Sequence, residues 1–117
     1  MVHEKKKIVK IVEELTLYFF ALGADRIQSG IEKKGKSVVI TFRTNYHPDY
    51  EDQLPHLEKY LNCPKNDGME DVYWELAGSG EPGETSQLLL VGMMIDRAQI
   101  RLEEGEVYLE LFKEQLE

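Results

Sequence analysis

Residues 27–44 read IQSGIEKKGKSVVITFRT, and this stretch decides the fold class. Ser37 to Thr44 holds Val38-Val39-Ile40-Thr41-Phe42, a β-branched and aromatic run with strong strand preference. Lys33-Lys34-Gly35-Lys36 before it places a glycine among charged residues, the composition of a turn. Ile27 to Glu32 is a more polar partner, so the pair reads as a β-hairpin whose second strand is the more buried.

Working upstream, Ile8, Ile11, Val12, Leu15, Tyr18, Phe19 and Leu22 recur at helical spacing between His3 and Leu22. Val9, Leu17 and Phe20 widen the apolar surface, so this helix is expected to be covered on more than one side, within the fold or at an interface. Gly23 is placed to stop it, because glycine accepts the left-handed conformation at a helix end.

Downstream, Asn45 to Pro48 reads as a loop. Leu54, Leu57, Tyr60 and Leu61 suggest a short helix with Pro55 in its first turn, and Met69 to Leu76 suggests another. Thr85 or Ser86 is placed to cap a helix through Leu88-Leu89-Leu90-Val91-Gly92-Met93-Met94-Ile95, apolar nearly all round and therefore buried. Ala98 to Leu102 alternates, Glu104-Gly105 turns, and Val107 to Phe112 forms a last strand. Two hairpins with the helices before and between them predict one α/β (α+β) domain over residues 1–117. It is a two-layer sandwich with the helices on one face of a mixed sheet.

Composition narrows the function classes. At 117 residues, 42% hydrophobic and 31% charged, the chain has the balance of one globular domain. No apolar run is long enough to span a bilayer, and the charged first ten residues run into a helical pattern rather than a secretory leader. Cys63 is the only cysteine, which excludes an internal disulfide and a cysteine-based zinc site. A cytoplasmic protein is the expectation. The net charge of −8 falls wholly in the second half: residues 1–58 carry nine Lys/Arg and nine Asp/Glu, residues 59–117 five and thirteen. An acidic chain whose one basic cluster is Lys5-Lys6-Lys7 is not expected to bind nucleic acid.

The order of elements resembles the ATP-binding domain of the histidine-kinase-like ATPases (GHKL or Bergerat fold), above all the small anti-sigma-factor serine kinases. Ile8–Phe20 (IVKIVEELTLYFF) is similar to the family's first helix, and Lys36–Asn45 (KSVVITFRTN) to the strand into its nucleotide loop. Ser86–Lys113 is similar to its final helix and closing hairpin, through the Asp96 junction. The resemblance implies a remnant nucleotide pocket of Glu14, Thr44, Thr85, Ser86 and Glu106. Glu14 stands where the family has its acidic base. Tyr18 stands four residues on, where the family has a magnesium-binding asparagine, and a phenol is a poor substitute for that hard oxygen ligand. Thr44 replaces the adenine-reading aspartate, Thr85-Ser86-Gln87 replaces a Gly-x-Gly, and Glu106 replaces a threonine after the retained Gly105.

Those departures imply a non-catalytic regulatory or protein-interaction module, in bacterial signalling or sigma-factor control, with a protein partner or a second copy and with no metal or cofactor. Two other readings stand beside it. One is an active ATP- and magnesium-dependent serine kinase with Glu14 as base. The other is a purine-type ligand sensor in which Glu106 and Thr44 have traded strands and still read the base.

The remaining signals are weak. Gly78-Ser79-Gly80-Glu81-Pro82-Gly83 spells G-x-G-x-x-G but follows no clear strand, so it reads as a lid-like loop. His47, Asp49, Asp52 and His56 have side chains that bind transition metals, yet their polar, proline-flanked setting reads as a solvated loop and helix cap. Cys63 has no base or cation beside it in sequence, and Tyr60, Tyr73 and Trp74 read as core or, if exposed together, as a partner surface.

Overall fold

The computed structural model describes residues 2–62 and 85–114. The first helix, α1, spans Val2–Ala21 and ends where Gly23 takes a φ of 84°. A Cβ at Gly23 would sit 2.8 Å from the Cβ of His47, so the close return of the chain also requires glycine there. Strand β1 (Ile27–Lys34) and β2 (Ser37–Asn45) follow, joined by the two residues Gly35 and Lys36. The strand is longer and the turn tighter than the charge pattern predicts, because Lys33 and Lys34 stay in the ladder opposite Val38 and Ser37.

A 3-10 turn at Pro48–Gln53 leads into α2 (Leu54–Leu61), with Pro55 in the first turn, where no backbone donor is lost. Helix α3 spans Thr85–Met94. Strands β3 (Arg97–Glu103) and β4 (Glu106–Glu114) close the fold around Glu104 and Gly105, whose φ angles of 46° and 81° are the pair of positive values that a type I′ turn demands. The predicted helix at Met69–Leu76, the Gly78–Gly83 motif, Cys63, Tyr73 and Trp74 lie outside the described residues.

The sheet order is β1-β2-β4-β3 and every neighbouring pair is antiparallel. The expected mixed sheet is therefore corrected. Both hairpins are antiparallel by construction, and the second hairpin sets β4, not β3, against β2, again antiparallel. Strict alternation marks the two layers. Val38, Ile40, Phe42 and Thr44 of β2 and Val107, Leu109, Leu111 and Lys113 of β4 face the helices, while their neighbours face away. Phe19 of α1 meets Phe42 at 5.9 Å between ring centroids, and α3 packs against both α1 and α2. A Cβ at Gly92 of α3 would overlap the Tyr60 carbonyl oxygen, so that glycine sets how closely α2 and α3 approach.

One contact fixes the end of α3. Lys113 is buried, and its Nζ donates to the Met94 carbonyl at 2.8 Å, placing a cation at the C-terminus of α3. Val9 and Phe20 are 61% and 57% exposed, so the outer side of α1 is bare in the single chain. Among the described residues no helix is long and apolar enough to cross a membrane.

Candidate functional site

Glu14 and Tyr18 lie one turn apart on the inner face of α1, and both are buried. The Lys10 ammonium reaches Glu14 Oε1 at 2.9 Å, with Glu13 at 3.8 Å on its other side. Glu14 is thus a buried carboxylate held by a lysine of its own helix, a partner that a buried charge needs. Burial, with Tyr60 nearby on α2, pushes the Tyr18 phenol up to about 12. It remains a neutral, largely apolar ring, in edge contact with Phe19 at 5.5 Å.

Thr44 is fully buried on the helix-facing side of β2, and its hydroxyl donates to the Asn45 carbonyl at 2.8 Å. Glu106 belongs to the other side. The register sets Thr44 opposite Val107 and Asn45 opposite Glu106, and residues directly opposite one another share a face. The side chains of Thr44 and Glu106 therefore leave the sheet in opposite directions, which separates the expected adenine-reading pair. Glu106 instead accepts from Arg26 Nη2 at 2.7 Å. Thr85 and Ser86 form the first turn of α3.

The segment after Thr44 is tied down rather than open. Asn45 Oδ1 accepts from the backbone N–H of Asp25 (3.0 Å) and Arg26 (3.1 Å), and its Nδ2 donates to the Asp25 carboxylate. The Tyr46 hydroxyl donates to Glu51 Oε1 at 2.7 Å, and this bond, with burial and the negative charge of Glu51, raises its pKa. His47 N–H donates to the Leu22 carbonyl at 2.8 Å, and its Nδ1 accepts from Asp49 N–H at 3.1 Å as the cap of the 3-10 turn. That is the predicted cap role for this segment. Among the described residues no group of three or more His, Cys, Asp or Glu side chains is placed to hold a metal ion.

Among the described residues no helix packs on the other face of the sheet, and that face has its own pattern, which the sequence alone did not reveal. Gln28, Arg43, Tyr108 and Arg101 lie side by side across β1, β2, β4 and β3. Both guanidinium groups flank the Tyr108 ring, Arg101 at 4.9 Å and Arg43 at 5.7 Å from its centroid. Two rows further on along the same face, Arg97 stacks 3.9 Å over Phe112. Tyr108 borders three shallow depressions of about 290, 220 and 250 Å³ on this face. Alternation flagged these strands, but only the register between distant segments brings the two arginines to one tyrosine. In comparisons with known proteins, no family model, no curated protein and no solved structure matches this chain.

Proposed function

We propose that this chain is a non-catalytic regulatory, protein-interaction module on a histidine-kinase-like ATPase frame, with the side of its sheet that faces away from the helices as the working surface. The observation that carries this reading is the divergence of the remnant pocket. Glu14, Tyr18 and Thr44 are packed into the core, and Glu106 stands on the far side of the sheet. Magnesium-dependent phosphoryl transfer needs a metal and a base gathered at one set of phosphates. A carboxylate clasped by Lys10, a neutral phenol and a hydroxyl bonded to the Asn45 carbonyl do not supply that centre. The surface left for recognition pairs aromatic rings with guanidinium groups, the residue types enriched where proteins bind one another.

The test is ATP hydrolysis and autophosphorylation in the presence of magnesium, on the wild type and on Glu14→Ala. The reading predicts no turnover in either protein. Turnover that vanishes in Glu14→Ala would establish the serine-kinase alternative instead.

A further inference from the structure

The two edges of the sheet are treated differently. At the β3 edge, α2 supplies what a further strand would. Asn62 Oδ1 accepts from Ala98 N–H (2.9 Å), Asn62 Nδ2 donates to the Ala98 carbonyl (3.0 Å), and Glu58 Oε2 accepts from Ile100 N–H (3.1 Å). The β1 edge has no such cover among the described residues: seven of its eight residues are exposed, and Ile31 is 53% exposed. An uncovered edge strand of this length is a template for another strand.

The direction of its free backbone groups can be fixed. Asn45 N–H donates to the Arg26 carbonyl, which makes Arg26 and Asn45 a hydrogen-bonded pair. Such pairs alternate along an antiparallel ladder, and the two-residue turn closes on Lys34 and Ser37 in step with it. Even-numbered residues of β1 therefore bond to β2. Ile27, Ser29, Ile31 and Lys33 point N–H and C=O outward.

We infer that β1 pairs antiparallel with β1 of a second copy of this chain, joining two four-stranded sheets into one of eight, with Ile31 opposite Ile31 of the partner at the two-fold axis. Matching outward groups to outward groups restricts self-pairing to registers centred on a single residue. Centring on Ile31 sets Ser29 opposite Lys33, Gln28 opposite Lys34, and Gly30 opposite Glu32 of the other copy, so no like charges face each other directly. It also places two β-branched side chains side by side on the helix-facing surface, a favourable cross-strand pair. Moving the centre to Glu32 would oppose two carboxylates. The inference names a partner for the interaction module proposed above and rests on that reading only for the sheet as binding element. ATP turnover would overturn the module without touching the dimer.

The test is sedimentation equilibrium of the full chain, with Ile31→Lys, Ile31→Pro and Phe20→Asp. The wild type is expected to approach twice the 13.6 kDa chain mass with rising concentration. Ile31→Lys opposes two ammonium groups at the axis and is expected to weaken association about tenfold or more. Ile31→Pro removes only an outward N–H, which a free edge tolerates, and should give a folded monomer. Phe20→Asp, on the bare side of α1, should leave association intact. As an independent check, Ile31→Cys in a Cys63→Ser background should oxidise to a covalent dimer, because directly opposed residues in a hydrogen-bonded pair lie about 5.5 Å apart at Cα. A wild type that stays monomeric at all concentrations, association lost in Phe20→Asp but kept in Ile31→Lys, or no cross-linking at position 31 would each overturn the inference.

Discussion

Asn62, which ends α2, holds Ala98 of β3 by both of its backbone groups, through an N–H donated to Oδ1 at 2.9 Å and a carbonyl accepting from Nδ2 at 3.0 Å. An amide side chain here imitates one residue of a neighbouring strand. It anchors the helix layer to the sheet and closes one edge. Replacing it with leucine keeps bulk but leaves the Ala98 groups without these partners. We expect Asn62→Leu to lower unfolding stability by about 1–3 kcal/mol in urea titrations, the cost of unsatisfied polar groups at a partly buried site. A loss below about 0.5 kcal/mol, the usual range for surface substitutions, would mean that water replaces the amide freely.

Tyr18 makes stability depend on alkaline pH. Its pKa rises from 10.0 to about 12 on folding. Between those values the unfolded chain releases a proton that the folded chain retains, so stability falls as pH rises, at up to about 1.4 kcal/mol per pH unit. The contribution is whole below pH 10 and lost above pH 12. Tyr46, whose pKa is also raised, adds a decline of the same sign. Tyr18→Phe should flatten the slope between pH 10 and 12 in chemical denaturation series, leaving the smaller part from Tyr46. An unchanged slope would show that Tyr18 ionises as readily folded as unfolded.

Glu104 occupies a left-handed backbone conformation, with φ at 46°, beside the directly opposed carboxylates of Glu103 and Glu106. Asparagine tolerates this turn position and carries no charge. Glu104→Asn should raise stability by about 0.5–1 kcal/mol, read as a higher melting temperature. A lower melting temperature would show that the Glu104 side chain has a role that its exposed position does not suggest.

Gly92 fixes the spacing of α2 and α3 because a methyl group there would meet the Tyr60 carbonyl oxygen and the backbone of Leu61. Gly92→Ala gains helix propensity, worth about 0.8–1 kcal/mol, but must push the two helices apart. Overpacking of this kind commonly costs about 1–3 kcal/mol, and backbone on the facing side cannot yield as a flexible side chain would. The expected balance is a net loss, checked by thermal unfolding, and a stabilised variant would mean that the helices separate easily.

Much of the architecture was legible because its signals are local. The run Val38–Phe42, the Gly23 stop and the Glu104-Gly105 turn each depend on near neighbours, and each lies where the sequence places it. The greater burial of β2 over β1 was legible for the same reason. The pairing of β2 with β4 was not, because it joins segments some seventy residues apart and no local pattern sets its register. A shift of one residue there would have brought Thr44 and Glu106 onto one face; the actual register divides them. Lys113 was similarly opaque: a lysine in an alternating strand gives no sign that its ammonium serves the end of α3. The order of elements followed from these local signals, and the sheet departs from the expected mixed strand directions in being antiparallel throughout.

The proposal at the centre of this account is that Glu14, Tyr18 and Thr44 serve the core rather than a nucleotide. The most direct measurement is the melting temperature of the chain titrated with ATP, ADP and GTP, each with and without magnesium. A ligand at about 100 times its Kd stabilises a folded protein by about 2.7 kcal/mol, a readily visible shift. The account predicts no shift with any nucleotide under either condition. A saturable rise that requires magnesium and disappears in Glu14→Ala would contradict it.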